Sequence, residues 1–95
     1  MEVEGIRHKA LRRFFVEGDA KGLDGSSVEW LRRMLAFIVS ADDIGELSVP
    51  PNYGLHPLTG DRVGRWAMTV TKNWRLTFLL VDRRTIADVD LEDYH

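Results

Sequence analysis

This chain of 95 residues contains no cysteine. A disulfide framework and a thiolate metal site are therefore both excluded. The chain also lacks an 18-residue apolar run and any segment that resembles a signal peptide, so a cytoplasmic protein is expected. The three histidines have no ligand spacing such as H-E-x-x-H, and metal binding is weakly supported.

Several catalytic motifs are absent as well. There is no G-x-S-x-G nucleophile elbow and no glycine-rich phosphate loop of the Walker or dinucleotide type. The hydrophobic fraction of 44% and the charged fraction of 29% are ordinary for a globular protein. Residues 1–95 are accordingly predicted to form a single domain with its own core.

The chain also has little net charge, a formal value of -2. This value argues against a general nucleic-acid binder, because attraction to phosphate over distance requires positive potential. The charge is unevenly distributed, however, since residues 53–81 carry one acidic residue against four basic ones: Arg62, Arg65, Lys72 and Arg75. A solvated surface is the preferred explanation of four such bases on charge alone, so a role for the +3 segment in binding needs independent support.

Two helices are predicted in the first half of the chain. Residues 8–16, HKALRRFFV, form a short amphipathic pattern with Gly18 as a stop. Residues 26–41 repeat apolar side chains at helical spacing, and Ser26 with Glu29 has the spacing of a capping box. Core packing is the expected role of both apolar faces.

The second half is predicted to be strands, because Pro50 and Pro51 end the helical pattern and two alternating segments follow. A three-residue loop at residues 71–73 would pair Val70 with Trp74 and bring the apolar side chains of both strands to one face. That face would pack on the helices. The opposite face would then carry the polar set: Arg65, Thr69, Arg75 and Thr77.

A third strand, residues 85–91, follows a turn around residues 82–84. Ala87, Val89 and Leu91 alternate there with Asp88 and Asp90. The predicted fold class is therefore α+β, with two N-terminal helices packed on one face of a C-terminal antiparallel sheet.

Metal-free cleavage of RNA is a reaction that suits these side chains. The 2′-hydroxyl attacks the adjacent phosphorus, so the protein must supply a base, an acid for the departing 5′-oxygen, and cations for the phosphoryl oxygens. Histidine can do either proton transfer, because its ordinary pKa is near 6.5. A lone histidine such as His56, held extended by Pro57, is nevertheless more often structural.

Motifs spread over nearly the whole chain resemble one known family. They are the basic helix HKALRRFF, IGEL before the prolines, LHPLTGDRVGRW, NWRLTF and the closing EDYH. Together they are similar to the HigB branch of the RelE-like toxins, the plasmid maintenance killer proteins. The resemblance implies a bacterial, cytoplasmic toxin with the RelE-like fold that cleaves messenger RNA in the ribosomal A site by 2′-hydroxyl attack, with no metal or cofactor.

The resemblance also implies site residues and partners. His56 of LHPL and Asp93, Tyr94 and His95 of EDYH match active-site positions of the family. Arg75 of NWRL should face substrate phosphate. The charge pattern, and not the motifs, offers Arg62, Arg65 and Lys72 as further substrate-binding cations. The implied partners are a helix-turn-helix antitoxin of the HigA type, the 30S A site with its message, and operator DNA through the antitoxin alone.

One position departs from the family pattern. Members commonly have lysine in HPLKGDR, whereas this chain has Thr59. The missing cation leaves room for a second interpretation, a non-catalytic module that binds the antitoxin or the ribosome. A small nucleic-acid-binding regulator is a further alternative, but the acidic balance and the absence of a recognition-helix pattern count against it.

Overall fold

The computed structural model describes residues 1–93. Two sequence-predicted site residues, Tyr94 and His95, lie outside that range. The helices are α1 (Lys9–Glu17), α2 (Val28–Ser40) and the single turn α3 (Ile44–Leu47). The strands are β1 (Glu2–Val3), β2 (His56–Pro57), β3 (Arg65–Thr69), β4 (Trp74–Asp82) and β5 (Thr85–Asp93).

One five-stranded sheet has the order β1-β5-β4-β3-β2. Strands β2 to β5 pair in antiparallel fashion, and β1 adds a parallel edge beside β5. The predicted α+β class with N-terminal helices is confirmed, but the sheet is mixed because β1 joins it. Among the described residues, no helix is long and apolar enough to cross a membrane.

The ends of the helices follow local hydrogen bonding. Nδ1 of His8 accepts from the backbone N–H of Leu11 at 3.1 Å and begins α1, and Gly18 ends it in the left-handed conformation at φ 74°. The predicted capping box of α2 is wrong. The hydroxyl of Ser26 donates instead to Asp24 at 2.8 Å, and a 3-10 turn precedes the helix.

The predicted register of β3 and β4 is confirmed. Trp66 lies opposite Phe78, and the backbone N–H of Val70 donates to the carbonyl of Trp74 at 3.0 Å across the three-residue loop. The apolar face of these strands packs on α1 and α2. The fully buried residues of this face are Met68, Leu76 and Phe78. Those of the helices are Leu11, Leu31 and Met34.

A bulge in β5 overturns the predicted alternation at Ala87. Thr77 pairs with Asp90 but Leu79 pairs with Ala87, so two residues of β5 stand opposite one residue of β4. The extra residue is Asp88, whose φ of 51° is left-handed. Because the bulge shifts the phase of the strand, Ile86 enters the core in place of Ala87.

The bulge directs the carboxylate of Asp88 between two guanidinium groups. It accepts from Nη1 of Arg65 at 2.9 Å and from both Nε and Nη2 of Arg7, while Nη2 of Arg65 also donates to the Asp88 carbonyl at 2.9 Å. Hydrogen bonding to Arg7 lowers the pKa of Asp88 below its ordinary value. Asp88 therefore joins the segment before α1 to the first residue of β3.

Replacement of Asp88 by alanine should leave the buried Arg65 guanidinium without its carboxylate. We expect Asp88→Ala to reduce the free energy of unfolding by about 2 to 3 kcal/mol in urea denaturation. The exposed Asp42 serves as control, since Asp42→Ala should change it by less than about 0.5 kcal/mol. Equal effects of the two substitutions would contradict this role.

Candidate active site on the polar sheet face

The sheet surface opposite the helices, here named the polar face, carries the predicted polar set. Cross-strand pairing places Thr69 beside Arg75, and Ala67 between His56 and Thr77. Directly opposite residues in a sheet project to the same side. The polar face therefore brings together side chains from β2, β3, β4 and β5: His56, Arg65, Thr69, Arg75, Thr77 and Glu92.

The carboxylate of Glu92 is the centre of the contacts on this face. It accepts two parallel bonds from Arg62, Nη1 to Oε1 at 2.9 Å and Nη2 to Oε2 at 2.6 Å. Nη2 of Arg75 approaches Oε1 at 3.5 Å, and the hydroxyl of Thr77 donates to Oε2. Two guanidinium groups thus converge on one carboxylate, and the bidentate geometry of Arg62 is one that also suits phosphate.

Glu92 stays ionised in this setting. The hydrogen bonds from Arg62 lower its pKa from 4.5 to about 2, against desolvation by burial and with further help from Thr77. The same contact raises the pKa of Arg62 above its ordinary value. Because the Glu92 side chain is 20% exposed, the pair is shielded from much of the solvent screening that weakens surface ion pairs.

Arg65 projects to the polar face but is largely covered there. Its side chain is 10% exposed, and Nη2 donates to the hydroxyl of Thr77 at 3.1 Å while Nη1 is bound to Asp88. Since the Thr77 oxygen accepts from Arg65, its own proton is free to point at Glu92. Direct contact of Arg65 with substrate phosphate, expected from the sequence, stays a prediction.

The imidazole of His56 is oriented by the backbone. Nδ1 lies 2.8 Å from the carbonyl of Gly54, and a carbonyl can only accept, so Nδ1 carries the proton and Nε2 of the neutral ring is an acceptor. Gly54 is in the left-handed conformation at φ 56°, and a Cβ there would stand 3.4 Å from the hydroxyl oxygen of Thr69. The positive φ favours glycine at this turn before His56.

The remaining predicted site residues are more peripheral. Lys72 is exposed in the loop between β3 and β4. Asp93 ends β5 in register with Trp74, so the alternation of the strand puts its side chain on the Trp74 side of the sheet and not on the Arg75 side. Within residues 1–93, no three histidine, aspartate or glutamate side chains come together as ligands for a metal ion.

Glu92 and Thr77 are the site residues that sequence reasoning missed as partners of the arginines. The alternation of β5 contained the signal, because a buried Leu91 puts the next side chain on the polar face opposite Arg75. The acidic strand also changes the electrostatics. The +3 segment of the sequence faces a strand that carries four carboxylates: Asp88, Asp90, Glu92 and Asp93.

The Glu92 ion pair should make part of the stability dependent on acid. With a pKa lowered from 4.5 to about 2, the contribution is complete above about pH 4.5 and is lost as pH falls through about 2. We expect the wild type to exceed Glu92→Gln by about 1 to 3 kcal/mol in free energy of unfolding at pH 6, and this difference to shrink toward pH 2. Glu46→Gln, on exposed α3, should show no such convergence.

Comparison with known proteins gives a consistent result. Residues 4–95 match the family model of the HigB-like toxin, described as the RelE-like toxin of the type II toxin-antitoxin system HigB. The chain is 38% identical over 93 residues to endoribonuclease HigB of Proteus vulgaris, covering 98% of this chain and 99% of that protein.

Solved structures share the fold at lower identity. YafQ from E. coli superposes with a TM-score of 0.58 at 19% identity, covering 98% of this chain and 92% of the other. A mutant of the same protein from E. coli gives 0.56 at 18% identity, with the same coverage of 98% and 92%. Taken with the family match and the full-length relative, these findings establish that the chain belongs to the HigB-like family of RelE-like toxins of type II toxin-antitoxin systems.

Proposed function

We propose that this toxin is an endoribonuclease that cleaves messenger RNA in the ribosomal A site by metal-independent attack of a 2′-hydroxyl. The observation that carries the proposal is the convergence of Arg62 and Arg75 on one oxyanion, on the same sheet face as an imidazole with an accepting Nε2. The relative of 38% identity is named an endoribonuclease, which supports the reaction class.

The proposed chemistry needs one base and one acid. Nε2 of His56 takes the proton of the 2′-hydroxyl, and the 2′-oxygen forms a bond to the adjacent phosphorus. The bond from phosphorus to the 5′-oxygen breaks, and His95 gives that oxygen its proton. The products are a 2′,3′-cyclic phosphate and a 5′-hydroxyl, so atoms and charge balance without a further reactant.

Other site residues have supporting roles in this proposal. Arg75, with Arg62 beside it, offsets the charge that grows on the phosphoryl oxygens. Asp93 orients an imidazole or the 2′-hydroxyl, and Tyr94 stacks on or hydrogen-bonds the RNA. Lys72, exposed on its loop at the edge of the face, contacts the RNA backbone.

The weak charge of the polar face supports ribosome dependence in this proposal. Since β5 supplies carboxylates against the arginines, attraction to free RNA is small, and docking on the ribosome supplies the positioning. In the same proposal, the toxin acts in the bacterial cytoplasm. A helix-turn-helix antitoxin of the HigA type neutralises it, and operator DNA is bound through that antitoxin.

A second candidate is a non-catalytic module that binds the antitoxin or ribosome. Thr59 favours it, because this exposed residue stands where the family commonly has lysine, directly before the 3-10 turn that carries Arg62. Arg62 and Arg75 remain on the polar face in this chain, so catalysis is the stronger proposal.

The chain offers a matched series of histidine substitutions. His56→Asn and His95→Asn should each lower the rate of message cleavage in a translating extract by at least about tenfold, because each removes one proton transfer. His8→Asn keeps a side chain that can begin α1 and should leave cleavage unchanged. No cleavage by the wild type would favour the non-catalytic module, and unchanged cleavage by His95→Asn would contradict its assignment as the acid.

The same assay separates ribosome-bound from naked message. Cleavage sites mapped along one transcript should cluster in register with codons when ribosomes translate it, and the rate on naked RNA should be far lower. Equal rates on the two substrates would contradict ribosome dependence while leaving the histidine assignments intact.

A further inference from the structure

The bidentate contact with Glu92 fixes the orientation of the Arg62 guanidinium group as well as its distance. Parallel bonds of 2.9 and 2.6 Å from Nη1 and Nη2 set the plane and direction of the guanidinium group. Arg62 itself sits at the end of a short 3-10 turn, Gly60–Arg62, and its side chain is 34% exposed. A long side chain in such a place would otherwise sample many rotamers.

Glu92 is in turn held by buried contacts on the same face. The Thr77 side chain is fully buried, and its hydroxyl joins Glu92 to Nη2 of Arg65. Arg65 is held by the carboxylate and the carbonyl of Asp88 at the bulge, at 2.9 Å each. Continuous polar contacts therefore run from the β5 bulge to the guanidinium of Arg62.

This arrangement has a cost for binding. A carboxylate between two arginines cancels part of the positive charge that would attract an RNA phosphate. A face selected for affinity alone would gain from a neutral residue at this position. Fixed cations, in contrast, favour the transition state, because they need no reorganisation when charge develops on the phosphoryl oxygens.

We propose that Glu92 is a positioning residue for RNA cleavage, holding the guanidinium groups of Arg62 and Arg75 in the orientation that the phosphoryl transition state requires. This inference rests on the proposed cleavage reaction. Glu92 acts through the arginines and does not itself touch the reacting atoms. Its negative charge lowers the affinity for the substrate phosphate, and its hold on the arginines raises the rate of cleavage.

The test compares Glu92→Gln with Asp90→Asn, which removes an equal charge two residues away on the same strand and leaves the hydrogen bonds of Glu92 with Arg62 intact. In single-turnover cleavage of ribosome-bound message, Glu92→Gln should lower the maximal rate at least about tenfold, with half-maximal toxin concentration equal or lower. Asp90→Asn should keep the maximal rate within about twofold. Equal maximal rates for Glu92→Gln and wild type would overturn the proposal.

A double-substitution cycle shows whether Glu92 acts through Arg62. Arg62→Ala should lower the maximal rate by about tenfold, and Glu92→Gln should add less than about twofold in that background. Multiplying effects, with the double variant about a hundredfold slower, would show that Glu92 does not act through Arg62 and would contradict its positioning of that residue.

A readout without RNA separates this inference from the proposed function. In wild-type protein, the Nε–Hε signal of Arg62 should show restricted motion by nuclear magnetic resonance relaxation, and Glu92→Gln should release it, with Asp90→Asn unchanged. If the wild type does not cleave message, the proposed function fails whatever this signal shows. If the wild type cleaves and Arg62 is equally ordered in Glu92→Gln, the positioning role fails alone.

Discussion

The carboxylate of Glu92, bound by the fork of Arg62 and approached by Arg75, is the interaction on which the polar face depends. It joins the turn before β3 to the last strand of the sheet, and it keeps two like charges close together. Arginines left without that anion would repel one another across the face. The pKa of about 2 shows how strongly the arrangement favours the ionised carboxylate.

The position of that carboxylate depends on the phase of β5, and the phase depends on the bulge at Asp88. Without one extra residue, burying Ile86 would turn Leu91 to the polar face and Glu92 toward the helices. The bulge residue is itself held by Arg7 and Arg65. Core packing at one end of the strand and charge placement at the other are therefore set by the same irregularity.

Much of this fold could be predicted from alternation and helical spacing. The pairing of β3 with β4 followed from a requirement that Trp66 and Phe78 share a face, and the structure has that pairing. The bulge could not be predicted, because the partners of Asp88, Arg7 and Arg65, are remote from it in sequence. Strand β1 was equally hidden, since the pair Glu2–Val3 is too short to show alternation.

The site was predictable to a lesser degree. Family motifs pointed to His56 and Arg75, which both lie on the polar face. The net charge of residues 53–81 overstated the positive charge of the polar face. The carboxylate of Glu92, which compensates part of that charge, lies outside this segment in the sequence but beside it in the sheet. The contacts of Glu92 depend on the register of β5. Simple alternation from Ala87 assigns the correct faces to the residues after the bulge, Glu92 included, but the wrong face to Ala87 itself.

The proposed reaction depends on one hydroxyl group of the substrate. The most direct measurement uses a ribosome-bound message with a single 2′-deoxy nucleotide on the 5′ side of the mapped scissile phosphate. Attack by the 2′-hydroxyl predicts cleavage of the all-ribose message to a 5′-hydroxyl product and loss of cleavage at the deoxy position. Cleavage of the deoxy message at the same site, at the same rate, would contradict it.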